Sequence, residues 1–375
     1  MFRVPDKIKL SFKKIKNLYR RQFLALLLIL SSTYVYAEDA QIATLQSILG
    51  KDELTFSGFI DTAFSYGFNH FNPGQRAYLT QPSRNREGQI NLAYFEAKLT
   101  KETFRFRLAT QAGSSVDVNY GAEAEKGVRY IQEASIGTKL GPSLWLDGGI
   151  YLSHIGLESF ISKDNWAYTR LLASDFSPYY QSGAKLSYEV SKSLNLQLHY
   201  INGWQNISDF SGRNALGTQV SYSFETGDSL IYNTFLGSES EGTRFFNDFI
   251  FKLAPIGKLE LAALFDIGNQ QQTSGDTDQW YSWAVLSRYT ICPEVKFITR
   301  VEQYIDRENV IVRTPSNDPF SSLGFSTGID VELYPKLLWR SEYRAFVAQN
   351  SIFATDSEQL KRTDHFVISS LSYSF

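Results

Sequence analysis

Cysteine is almost missing. One residue, Cys292, stands among 375, which excludes an internal disulfide and a cysteine-based metal cluster. Histidine is nearly as scarce. His70, His154, His199 and His365 are all there are, and their spacing matches no metal-ligand pattern, so no metal or other cofactor is expected. Also lacking is any apolar run of the roughly 20 residues that a membrane-spanning helix needs. Mean hydropathy is slightly negative, as in a soluble protein. A transmembrane β-barrel has the same average, because alternate residues face lipid and water. Aromatic residues, in contrast, are plentiful: 22 Tyr, 28 Phe and 6 Trp, or 15% of the chain. Barrels use such rings at both membrane interfaces, although a tyrosine-rich β-sandwich has a similar composition.

The N-terminus reads as a targeting segment. Arg3, Lys7, Lys9, Lys13, Lys14, Lys16, Arg20 and Arg21 face Asp6 alone, and the short apolar run Phe23–Leu30 follows, then Val35-Tyr36-Ala37. A basic region, an apolar core and a small-residue end make a signal peptide over residues 1–37. Its core is too short to act as a helical anchor. Removing it leaves 29 basic and 38 acidic residues, a net charge of about −9. A mildly acidic exported chain is not expected to bind nucleic acid. Residues 38–53 form a short lead-in, and the barrel is expected over 54–375.

The last stretch, Asp364 to Phe375, places Val367, Leu371, Tyr373 and Phe375 on one face, with Ser370, Ser372 and Ser374 on the other. That period of two is a strand with one apolar side. The same alternation recurs from Leu54 onward. Phe56, Ile60 and Phe64 oppose Ser57, Asp61 and Ser65; Phe104, Phe106 and Leu108 oppose Arg105, Arg107 and Gln111. Arg129, Glu133 and Lys139 share one parity. Arg300 and Glu302 alternate with Val301, and Arg340, Glu342 and Arg344 alternate with Trp339, Tyr343 and Ala345. Charges therefore keep to one side, as a lipid-facing surface demands when a mid-bilayer charge costs about 2–4 kcal/mol. The segment 229–238 is ambiguous by parity.

Connections alternate too. Short ones fall at 101–103, 141–142, 191–193, 225–228, 255–257, 292–293 and 334–336. Longer polar ones are expected at about 68–87, 114–128, 157–178, 205–212, 239–243, 269–278, 307–321 and 349–363. Short periplasmic turns and longer outer loops characterise outer-membrane barrels. A β-sandwich predicts neither this alternation nor strands this long. The expected fold is all-β: a transmembrane antiparallel barrel of about sixteen strands behind a cleaved signal peptide. Sixteen strands enclose an aqueous channel unless something fills it. With no plug domain expected ahead of Leu54, loops are the candidates.

The connection after the fifth strand, residues 157–178, carries Glu158, Lys163, Asp164, Arg170 and Asp175. Asp164-Asn165 ahead of WAYTRLL reads as the cap of a short helix. Folded into the lumen opposite a basic wall of Arg105, Arg107 and Arg129, this loop would make a charged constriction, the element that sets solute preference in pores. The alternative is a solvated outer loop. Glu133, Arg300, Glu302, Arg340, Glu342 and Arg344 complete the pore-lining candidates.

Gly156-Leu157-Glu158-Ser159, Asn165, Tyr168-Thr169-Arg170, Pro178, Gly183 and Asn202-Gly203-Trp204, with the opening FSGFIDTAFSYGFN, resemble the OmpL-like β-barrel porins. The resemblance covers essentially the mature chain. It implies an outer-membrane, water-filled pore for small hydrophilic solutes or ions, and it carries over no catalytic residue. An adhesin or structural barrel is the alternative, and a barrel hydrolase a further one. Hydrolysis would need a His base. His199 falls on the lumen parity, His154 reads as an interface residue, His70 lies in an outer loop and His365 opens the last strand. Expected partners are outer-membrane lipid, small hydrophilic solutes, and the barrel-assembly machinery acting on the strand that ends in Phe375. No feature requires a homo-oligomer, the common state of general porins, and none forbids it.

Overall fold

The structure is a computed structural model that describes residues 54–69, 74–123, 125–209, 212–239, 242–357 and 359–375. The signal segment, the lead-in and His70 lie outside the described residues. Sixteen antiparallel strands close into a barrel. They are β1 (Leu54–Gly67), β2 (Gly88–Thr100), β3 (Phe104–Ala112), β4 (Ile131–Gly141), β5 (Leu144–Leu152), β6 (Tyr180–Glu189), β7 (Leu194–Ile201) and β8 (Ala215–Ser223). The second half comprises β9 (Ser229–Glu239), β10 (Gly242–Lys252), β11 (Leu259–Gln271), β12 (Thr277–Cys292), β13 (Val295–Asp306), β14 (Phe320–Tyr334), β15 (Leu337–Ala348) and β16 (Thr363–Ser374). Among the described residues no helix is long and apolar enough to cross a membrane.

The two-residue period decides which side chains meet lipid. Phe64, Leu108, Phe249, Phe265, Val285 and Leu371 point outward and are exposed, whereas Asp61, Asp248, Arg300 and Arg344 point inward and are buried. The ambiguous strand β9 follows the rule, with Leu230 and Leu236 outside and Asn233 and Phe235 inside. β16 closes the barrel by pairing with β1, Asp61 opposite Ser372. Beyond the last strand, Phe375 exchanges two backbone hydrogen bonds with Gly58, at 3.1 and 3.2 Å. The Phe375 ring lies where a side chain at 58 would stand, its nearest carbons within 3 Å of that position, so glycine leaves room for it. Outward rings gather at both rims. Tyr373 stacks with Phe375, and Phe56 with Phe95, at the short-turn end; Phe68 stacks on His365 at the other.

The connections depart from expectation at two points. Only two residues separate β9 from β10, and five separate β11 from β12, because those strands extend through stretches read as loop. The long connections that do form, above all 68–87, 153–179, 307–319 and 349–362, turn inward. Their apolar residues join inward rings of the strands, so Tyr78, Phe176, Val312, Ile352 and Phe353 pack with Phe235, Phe246, Trp280, Tyr304, Phe320 and Phe346. The lumen is thus polar only in part. Its loop end is filled by an aromatic cluster, since burying these rings releases more water than leaving a wide channel lined by them.

Candidate lumen constriction

Residues 153–179 leave β5, enter the barrel and lie against the inner faces of β10, β13 and β15. The entry is fixed at two points. The His154 ring stacks on His199, centroids 4.1 Å apart, with its nitrogens 2.8 Å from Gln181 Oε1 and 3.0 Å from the Thr234 carbonyl oxygen. Two residues on, the Gly156 N–H donates to Asp248 at 2.7 Å. His154 is therefore inside the lumen, not at the lipid interface, because it belongs to the incoming loop and not to the outward face of β5.

The middle of the loop is held by the charged residues of β13 and β15. Arg340 donates to three loop carbonyls, Ser162 (2.6 Å), Asn165 (2.9 Å) and Trp166 (2.5 Å), while Asp330 on β14 pairs with it at 2.8 Å. Thr169 gives its N–H and its hydroxyl to Glu342, at 2.8 and 2.7 Å. Arg300 reaches the Thr169 carbonyl at 2.7 Å and Glu342 at 2.8 Å. Arg344 donates to the Thr169 hydroxyl at 2.6 Å, and also to the Arg170 carbonyl and to Glu302. The Leu172 N–H donates to Glu302 at 2.6 Å. Glu158 accepts the Leu171 N–H at 2.6 Å and lies 3.6 Å from Arg300. Two strands from β15, Asp61 of β1 receives Ser162, Tyr168 and Asn91.

Arg300, Arg340, Glu302, Glu342 and Arg344 are each at most 3% exposed. Removing such charges from water is costly unless every one is paired and hydrogen-bonded. Glu342, Asp330 and Glu302 supply the pairing, the loop backbone adds hydrogen bonds, and the charges in turn satisfy loop groups that have no strand partner.

A family model described as Putative beta-barrel porin-2, OmpL-like, matches residues 53–375. The chain belongs to this family. It is an outer-membrane porin, and the closed sixteen-stranded barrel agrees. Among solved structures the fold is similar to OmpTΔL8, a loop-deletion mutant of an outer-membrane protein of Vibrio cholerae, at TM-score 0.59 and 10% identity over 86% of this chain and 99% of that one. It is similar also to the outer-membrane channel DcaP of Acinetobacter baumannii, at 0.59 and 9% over 86% and 97%. An anion-selective porin from Comamonas acidovorans gives 0.57 and 11% over 86% and 99%. No curated protein matches the sequence.

The porin's charged residues fall into two groups. Glu158, Arg170, Asp175, Arg300, Glu302, Arg340, Glu342 and Arg344 converge on the inward loop. Arg170 lies over the Tyr179 ring at 3.8 Å, and Asp175 accepts Tyr179 at 2.5 Å and Thr80 at 2.6 Å, which ties this loop to the connection 68–87. Lys163 and Asp164 pair with each other at 2.7 Å and stay partly exposed. The arginines that meet the loop are Arg300, Arg340 and Arg344, and the acids Glu342, Asp330 and Glu302 on the same wall pair with them, so that wall is mixed in charge and not basic. Arg105 and Arg107 instead hold acids of their own wall. Asp147 clasps Arg105 at 2.7 and 2.5 Å, and Glu96 and Glu133 hold Arg107 at 2.6 and 2.8 Å. The Arg105–Asp147 pair crosses Gly137, the residue of β4 that stands between them. Arg129 joins neither group. It sits in a single helical turn, Val128–Tyr130, before β4, and its carbonyl accepts Gln111 at 2.9 Å.

The expected helix cap at Asp164-Asn165 does not form. Residues 162–164 close a single 3-10 turn there, and Asn165 exchanges hydrogen bonds with Ser159 at 2.6 and 2.8 Å. The short helix begins later, at Leu172. Asp61 and Thr169 were missed as site residues. Asp61 stood on the charged parity of β1, and Thr169 lay inside the Tyr-Thr-Arg run, so both carried a signal.

Proposed function

We propose that the loop 153–179 is the constriction of this porin and that small hydrophilic solutes or ions pass on the side of the lumen it leaves free, along β2–β7. The observation that supports this most is where the loop's arginine anchors lie, on β13 and β15. Arg300, Arg340 and Arg344 direct their donors at loop carbonyls and the Thr169 hydroxyl, while the short-turn end of the opposite wall keeps a charged cavity of about 320 Å³. A polar, charged lining substitutes for the solute's water and biases which ions enter.

In this reading residues 1–37 direct export and are removed, the outward apolar belt sits in outer-membrane lipid, and the strand ending in Phe375 is what the barrel-assembly machinery engages. Passage is passive and uses no cofactor. Planar-bilayer recording of the purified, membrane-folded chain tests it. Small open-channel steps are expected, with a severalfold rise when residues 158–170 are replaced by a short glycine-serine link. Equal conductance with and without the loop contradicts the constriction role. Silence in both contradicts passage, and it would turn attention to the outer connections as contact surfaces.

A further inference from the structure

The second charged group, at the short-turn end, differs from the loop-facing one in what its cations are free to do. Arg300, Arg340 and Arg344 are engaged by loop carbonyls and carboxylates. Around the cavity of about 320 Å³ between β2 and β7, Arg105 is clasped by Asp147 and Arg107 by Glu96 and Glu133. Two further cations line the same cavity, Lys98 on β2 and Lys185 on β6. Among the described residues neither ammonium has a hydrogen bond or ion pair to a protein group. Lys185 rests over the Tyr151 ring, 4.7 Å from its centroid.

Each ammonium carries three donors. In a partly enclosed cavity such donors interact more strongly with an oxyanion than they do on an open surface. The local balance is four cations against three carboxylates, one positive charge in excess, and the excess rests on the two lysines. Deepening the passage reading above, we infer that this cavity is a binding site for small carboxylate- or phosphate-bearing solutes, with Lys98 and Lys185 as the contacting cations. Arg105 and Arg107 contribute field, because their donors are held by their own acids. The site lies on β2–β7, on the wall away from Arg300, Arg340 and Arg344.

The test is calorimetric titration of the folded full chain in detergent with succinate and with inorganic phosphate, glycerol serving as the neutral control. Binding of either anion is expected, weakened tenfold or more in the Lys98→Gln, Lys185→Gln double variant and unchanged in Lys192→Gln, a residue of a short turn. Glu133→Gln releases Arg107 from one acid and should tighten binding, a gain that misfolding does not produce. Binding of neither anion, equal binding in the double variant, or weaker binding in Glu133→Gln overturns the inference. A chain that conducts with none of these effects keeps the passage reading and loses this site. One that binds anions but passes no current keeps the site and loses passage.

Discussion

Thr169 and Glu342 are 173 positions apart, yet the threonine gives the glutamate both its N–H, at 2.8 Å, and its hydroxyl, at 2.7 Å. The same hydroxyl oxygen accepts from Arg300 at 2.5 Å and from Arg344 at 2.6 Å. One small side chain thus joins the loop to β13 and β15.

Thr169→Val keeps the shape and removes the hydroxyl. Two buried guanidinium donors then lose an acceptor, at a cost of about 1–3 kcal/mol. Hydrogen exchange of the amides at 167–172 should quicken by tenfold or more, with the strand amides of β13 unchanged. Unaltered exchange at those amides would mean that Thr169 does not hold the loop.

Arg340→Met tests the fastening itself. Three loop carbonyls and Asp330 lose their partner together. Breaking a buried pair from one side costs about 3–5 kcal/mol. The expected result is selective proteolysis within 158–172 while the barrel keeps its folded gel mobility. Cleavage no faster than in the parent chain would count against the latch.

Glu158 sets a pH dependence. Burial pushes its carboxyl above the ordinary range, against the opposing pull of Arg300 and the Leu171 N–H. A carboxyl whose folded pKa exceeds its unfolded one makes the folded state bind more protons, so its contribution to stability grows as pH falls from above the folded value toward the unfolded one. In the parent chain, loop protection measured by exchange should therefore rise as pH falls through that window. In Glu158→Gln, which still accepts the Leu171 N–H, protection at neutral pH should equal or exceed the parent's and lose this part of the pH response. A large loss of protection at neutral pH in Glu158→Gln would show that the Arg300 pairing outweighs burial.

The barrel was legible in the sequence because the charges of its strands keep off the lipid face. Charges at Arg105, Glu133, Arg300, Glu302 and Arg340 all keep to the inward parity, and strand β16 shows the pattern to its last residue. The filled lumen was not legible. Inward positions tolerate lipophilic rings as readily as polar groups once a loop covers them, so Phe235, Phe246 and Trp280 gave no sign of which side they would pack on. That the loop carries acids matching inward arginines was visible. Which arginines it meets depends on strands that lie more than 120 residues further along the chain, and no local pattern encodes that choice. His154 was misplaced for a related reason: parity counting ran past the end of β5 into a loop that no longer alternates.

The central claim, that residues 153–179 lie fastened inside the barrel, is tested most directly by thiol accessibility at Ala167, which is 3% exposed. In a Cys292→Ser background, Ala167→Cys should react with a membrane-impermeant maleimide far more slowly than Ser316→Cys, an exposed position of the connection 307–319, and should speed up when Arg340→Met is added. Labelling of the two cysteines at equal rates in the intact barrel would place the loop outside the lumen and contradict the account.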